Sequence, residues 1–236
     1  MPDTARAWRT VLERIEADLL DGRLGPGDRL PSERDLSASL GVGRSSVREA
    51  LRVLEVMGLI RTATGSGPNA GAIITATPQG GLSAVLRLQV AAQGFPLDDV
   101  VATRLLLETA VVETLAAHPS PSIAEARTVL DAMEDPSLTP GEFLALDAQL
   151  HLALAEASGN QVVAAMMAGL RTSIESYVQA GAERIADWDT ASRRLRAEHA
   201  AIVDAIGAGD ADTARSLVRA HIIGYYAEAG LQRLPT

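Results

Sequence analysis

The sequence predicts a mostly α-helical chain. An N-terminal winged helix-turn-helix (three helices plus a small β-wing) is followed by an all-α bundle of about seven helices. Three observations carry this expectation. Residues 26–61, PGDRLPSERDLSASLGVGRSSVREALRVLEVMGLIR, set a short capped helix, a glycine turn, an arginine-bearing helix and a β-prone start in succession. Hydrophobic residues make up 47% of the 236 but aromatics only 3%, so the core is built mainly of Ala, Leu, Val and Ile, which favours packed helices over a sheet sandwich. From residue 82 onward, helical periodicity and helix-start signals recur to the end of the chain.

Each element has a local reason. Pro26-Gly27-Asp28 is a turn signal, and Leu30 is a buried anchor. Ser32 is a good N-cap, with Asp35 three residues on to return the bond as a short capping box. The helix it opens runs from Glu33 to Leu40, with Leu36 and Leu40 inward. Gly41 sits where a helix end wants a left-handed residue. The next helix runs from about Arg44 to Met57, with Val47, Leu51, Leu54 and Met57 as its apolar stripe, and Gly58-Leu59-Ile60-Arg61 starts a strand. Thr77 to Gly81 reads as a linker, giving domains of 1–76 and 82–236. Helices then follow over Leu82–Gln93, Leu97–Ala117, a Ser122/Glu125 capping box to Glu134, a Thr139/Glu142 capping box to Ala157, Gln161–Ile185, Thr190–Ile206 and Ala211–Leu231.

Composition narrows the function classes. Cysteine is absent, which removes disulfide and thiol chemistry. No apolar run approaches the ~18 residues of a membrane span, and MPDTARAW has no signal-peptide core; a cytoplasmic protein is expected. The net charge of −9 is unevenly spread. Residues 1–76 hold 10 Arg and 10 acidic residues, while residues 77–236 hold 11 Arg against 20 acidic residues. An amino-terminal domain that binds DNA must therefore segregate its arginines onto one face.

Arg44, Arg48 and Arg52 recur every fourth residue, away from the apolar stripe. A solvated helix face would carry such a row too, but the capped helix, the glycine turn and the strand start around it favour a helix laid in the major groove. There arginine reaches phosphates or guanine edges. Arg34 on the preceding helix is a second-tier candidate, and Ser45 and Ser46 complete the set. LPSERDLSASLGVGRSSVREALRVLEVMGLI closely resembles the winged helix of the GntR family of bacterial transcription regulators, over about residues 8 to 75. The resemblance implies DNA contacts for Arg34, Arg44 and Arg48 and a wing tip at Gly65. Gly43 stands where the family usually has a hydroxyl residue; glycine still serves as an N-cap but without the side-chain bond.

Three of the four histidines occupy inward positions of amphipathic helices: His151, four residues after Asp147; His199, in the stripe Leu195, His199, Ile202, Ile206; and His221, in Leu217, His221, Tyr225. Separately, each reads as a hydrogen-bonded core histidine. Together, three imidazoles and a carboxylate would make an N3O site for a divalent metal, with zinc the leading candidate and nickel, manganese and iron the others. FLALDAQLHLALAEASGN, RAEHAAIVDAI and VRAHI resemble the all-helical ligand-sensing (FCD) domain of the FadR-type branch of these regulators. That resemblance implies a metal on Asp147, His151, His199 and His221, an effector that is a small organic acid, and an arginine near it at Arg104. Arg104 reads equally well as a salt-bridge partner of Glu108.

Four protein ligands on an octahedral ion leave two positions for a carboxylate and an adjacent oxygen, whereas a tetrahedral zinc would be closed. The expected protein is a metabolite-responsive, DNA-binding regulator and not an enzyme, a repressor released from its operator by the acid. Palindromic operators require a homodimer, for which the largely apolar helix Leu82–Gln93 offers a surface. Two alternatives are an architectural DNA-binding dimer without effector and a metal-dependent hydrolase. The second has neither an HExxH motif nor a visible nucleophile triad.

Overall fold

The computed structural model describes residues 4–63, 71–75, 78–92 and 94–231. It comprises two compact units, Met1–Leu82 and Ser83–Thr236, each with its own apolar core.

The first unit contains α1 (Thr4–Leu20), α2 (Glu33–Leu40), α3 (Arg44–Val56), β1 (Ile60–Ala63) and β2 (Gly71–Ile74). The expected caps are present. Ser32 Oγ accepts from the Asp35 N–H at 3.2 Å; Asp35 returns the bond to the Ser32 hydroxyl, at 2.7 Å, rather than to its backbone amide. Gly41 ends α2 in the left-handed region at φ 64°, and Gly43 caps α3 through the backbone alone. Val47, Ala50, Leu51 and Leu54 of α3 are buried with Val11, Ile15 and Leu36. Full burial of aliphatic side chains of this size is worth about 1.5–3 kcal/mol each. The strands pair antiparallel with Ile60 opposite Ile74 and Ala63 opposite Gly71, which forms the base of the wing. The expected wing tip at Gly65 lies outside the described residues.

The remaining helices are α4 (Pro78–Ala91), α5 (Leu97–Ala117), α6 (Ala124–Met133), α7 (Pro140–Ala157), α8 (Gln161–Ala182), α9 (Trp188–Gly207) and α10 (Ala211–Glu228). Of the residues expected as linker, Pro78 to Gly81 form the first turn of α4, a place where proline's missing N–H costs nothing. The Thr139/Glu142 capping box is formed, with both reciprocal bonds and Pro140 behind it. The Ser122/Glu125 box is not: Ile123 takes the N-cap position of α6 without a side-chain bond. Ile123 is buried in the core, and its burial overrides the local capping preference. The core of this unit joins Val112, Met133, Phe143, Leu195, Val203, Ile222 and Tyr226. No described helix is long and apolar enough to cross a membrane.

Candidate metal centre

Three helices bring four polar side chains together in this core. Asp147 and His151 lie one turn apart on α7, so the helical rise stacks them on one face. His199 comes from α9 and His221 from α10, each in the inward register of an otherwise apolar stripe. All four are buried, and His199 is fully inaccessible. Charged or polar groups that deep require partners, and here they partner one another. One ligand atom from each of the four lies within 4.8 Å of every other.

The distances describe a shell. Asp147 Oδ1 is 2.9 Å from His199 Nε2, 3.7 Å from His221 Nε2 and 3.9 Å from His151 Nε2. His221 Nε2 is 3.3 Å from His151 Nε2 and 3.2 Å from His199 Nε2. Donors at roughly 2.1 Å from a shared ion stand about 3.0 Å apart in octahedral geometry and about 3.4 Å apart in tetrahedral geometry. The donor set and its spacing therefore fit a divalent ion.

Arg104 and Glu108, one turn apart on α5, are both buried and form an ion pair. Both expectations for Arg104 bear on this geometry, because the salt bridge engages Nε while Nη2 is buried without a hydrogen-bond partner. The Tyr226 hydroxyl, His199 Nδ1 and Glu108 Oε2 are likewise buried without a hydrogen bond of regular geometry. Buried polar atoms are seldom left so, and four of them around one cluster mark a place suited to receive polar atoms from a ligand.

Two carboxylates beyond the ligand set were not singled out from the sequence as contacts of these rings. Glu108 Oε2 lies 2.5 Å from His151 Nδ1, and Glu198 Oε2 lies 2.8 Å from His221 Nδ1. Neither spacing has a sequence signal, since the partners sit on different helices. His118, read as a helix-end residue, caps α5 and accepts from the Ser120 N–H.

The electrostatics follow from this packing. Burial alone would raise the Asp147 carboxyl, but the His199 bond and the surrounding imidazoles hold it far below the usual carboxylate range. Burial likewise opposes ionisation of Glu108, yet Arg104 and His151 bring it down to about 2. Burial and the neighbouring His199 push His221 down to about 4, against the upward pull of Glu198. The unfolded chain takes up that histidine proton near pH 6.5, whereas the fold refuses it until about 4. Stability of the metal-free protein should therefore be complete above about pH 6.5 and fall as pH drops toward 4. Thermal melts of chelated protein at about pH 7.5 and about pH 4.5 should differ by several degrees, and equal midpoints would contradict the assignment.

In the first unit, Arg34, Arg44, Ser45, Arg48 and Arg52 are exposed. Arg48 Nε lies 2.8 Å from Glu33 Oε2 across the turn, and Arg34 lies beside Asp35 at 3.6 Å. Ser46 departs from the expectation. It is only 3% exposed, on the inward side of α3 beside Val47 and Ala50, because its register belongs to the apolar stripe rather than the arginine row.

Comparison with known proteins gives concordant matches. The profile of the FCD domain matches residues 99–224, and that of the bacterial regulatory proteins, gntR family, matches residues 8–68. The "Putative L-lactate dehydrogenase operon regulatory protein" of Escherichia coli K12 is 30% identical over 215 residues, covering 90% of this chain and 82% of its own. The HTH-type transcriptional repressor NanR of Cronobacter sakazakii is 28% identical over 225 residues, covering 92% of this chain and 83% of its own. The solved Streptococcus agalactiae GntR aligns with a TM-score of 0.59 at 24% identity, over 92% of this chain and 97% of that one. That likeness concerns the fold alone.

Proposed function

We infer the working of this chain from its family: it belongs to the GntR family of bacterial regulatory proteins, carries an FCD domain, and is a DNA-binding transcriptional regulator, not an enzyme. In our reading it is a repressor that a small organic acid releases from its operator. The observation that carries this reading is the buried convergence of Asp147, His151, His199 and His221 on one point, beside an arginine with an unpartnered edge.

These four residues would hold a divalent ion, zinc first among the candidates, and the ion would supply a Lewis-acidic anchor for a carboxylate oxygen. Arg104 Nη2 and the Tyr226 hydroxyl would bind the acid's remaining oxygens, since both are buried donors without acceptors. An acid bound between these groups exchanges water for charge-assisted hydrogen bonds. Its binding can alter DNA affinity only by favouring one of two arrangements of the protein. We assign the homodimer that operator reading needs in part to α4, which leaves Val85 and Leu88 exposed at 53% and 66%. A surface of that kind serves an interface better than water. A repressor acting on the chromosome works in the cytoplasm.

The DNA face in this reading is Arg34, Arg44, Ser45, Arg48 and Arg52, with Gly65 at the wing tip. Ser46 is left out of it because it is buried. Glu33 holds Arg48 across the turn; an exposed pair of this kind adds little stability but orders the guanidinium before it meets a base. The test is selection of duplexes from a random-sequence pool, followed by binding titrations. Arg48→Ala should weaken the selected site by roughly 1–3 kcal/mol and relax preference at one base position. Affinity should also fall with rising salt. Unchanged affinity and preference would remove Arg48 from the readout.

A further inference from the structure

Two of the three histidines that face the candidate ion are gripped from behind by a carboxylate, and the third is not. Glu108 Oε2 meets His151 Nδ1 at 2.5 Å and Glu198 Oε2 meets His221 Nδ1 at 2.8 Å, while His199 Nδ1 is buried without a partner. An ionised carboxylate only accepts hydrogen bonds, so the Glu198 bond requires the proton on His221 Nδ1, and the close approach of the Glu108 carboxylate favours one on His151 Nδ1. A neutral imidazole carries one proton, so Nε2 of both rings is then a bare lone pair. Those two Nε2 atoms stand 3.3 Å apart. Lone pairs facing each other at that distance repel unless a cation lies between them. The arrangement is unfavourable as a set of core histidines and favourable as two preformed ligands.

We propose that Glu108 and Glu198 are positioning residues of the metal centre, each fixing one histidine (His151 or His221) in the Nδ1-protonated form that presents a bare Nε2 to the ion. The two carboxylates are themselves anchored. Glu108 is paired with the buried Arg104, and Glu198 with Arg194, which also engages Glu228. Arg104 thus touches, through Glu108, a ligand of the ion that it stands beside. A change at the Arg104 edge reaches the ion through one hydrogen-bonded residue. Partners of this kind orient a ligating imidazole and raise its basicity. His199 has no such partner. Its Nε2 lies against Asp147 at 2.9 Å, so it must shed or relocate that proton before it can ligate.

The inference rests on the metal-site reading, and the experiment separates the two. The 236-residue chain is titrated with Zn2+ in competition with a chromophoric chelator, and 15N-labelled histidine resonances report the tautomers. Four histidines keep the spectrum assignable. In metal-free wild type, His151 and His221 should be Nδ1-protonated. Glu198→Ala should lower Zn2+ affinity by roughly 10–100-fold and shift His221 toward the Nε2-protonated form. Glu198→Gln, which keeps an acceptor oxygen but loses the charge, should lose less. Glu198 lies at the edge of the core, so its variants should keep the wild-type helical content, whereas Glu108→Gln risks the fold by stranding Arg104. Wild type that binds Zn2+ while both Glu198 variants match it in affinity and tautomer would overturn this inference alone. Wild type that takes up no Zn2+ would overturn it together with the site reading.

Discussion

Asp147→Ala should lose the bound metal and, with it, any response to an acid, while keeping its helices and its affinity for DNA. Asp147 is the one formal anion among the four ligand groups, and its Oδ1 lies between 2.9 and 3.9 Å from all three Nε2 atoms. Removing it leaves three buried imidazoles to hold a cation without a carboxylate. Changes outside the ligand set of such a site cost roughly 10–100-fold in metal affinity, so losing a ligand should exceed about 100-fold. The fold should bear the change. Alanine is the best helix former in the middle of α7, and the loss of the His199 acceptor should cost about 1–3 kcal/mol. Metal content after dialysis, read beside the circular dichroism spectrum, checks this; full occupancy in a folded variant would remove Asp147 from the site.

Arg104→Ala should be the most destabilising of the substitutions considered, by about 3–5 kcal/mol, because it breaks a buried ion pair and strands the Glu108 charge. Each side chain of the pair is 3% exposed, so solvent cannot take over. Urea unfolding of the bundle measures the loss. The double variant Arg104→Met with Glu108→Met tests the cause: it removes both charges at similar volume and should recover much of the stability. It should remain blind to acid, since both the guanidinium edge and the partner of His151 are gone. A single variant as stable as wild type would mean that Glu108 finds another partner or takes up a proton in the fold.

The helix-turn-helix was legible because its signals are local. Ser32, Gly41 and Gly43 act within one turn of their own positions, and the arginine row of α3 follows from spacing alone. Ser46 was misjudged for the same reason: it neighbours exposed Ser45 in sequence, but a step of about 100° on the helix carries it into the core. Local signals also misplaced the start of α6, where burial of Ile123 outweighed the Ser122 cap, and the start of α4. In the second unit, periodicity placed His151, His199 and His221 on inward faces, but nothing in their spacing required the three faces to meet. Family resemblance supplied that convergence, and the distances now support it. Glu108 and Glu198 escaped because a contact between helices, across 43 or 23 residues of sequence, leaves no periodic trace.

If Asp147 and the three histidines anchor a metal, an organic acid should bind at it. Thermal unfolding in the presence of small mono-, di- and hydroxy-carboxylates, with and without prior chelation, tests this. An acid at ~100 times its dissociation constant should stabilise the metal-loaded protein by about 2.7 kcal/mol, and the shift should vanish on chelation. A shift of equal size in chelated protein, or none with any carboxylate in the loaded form, would contradict the claim.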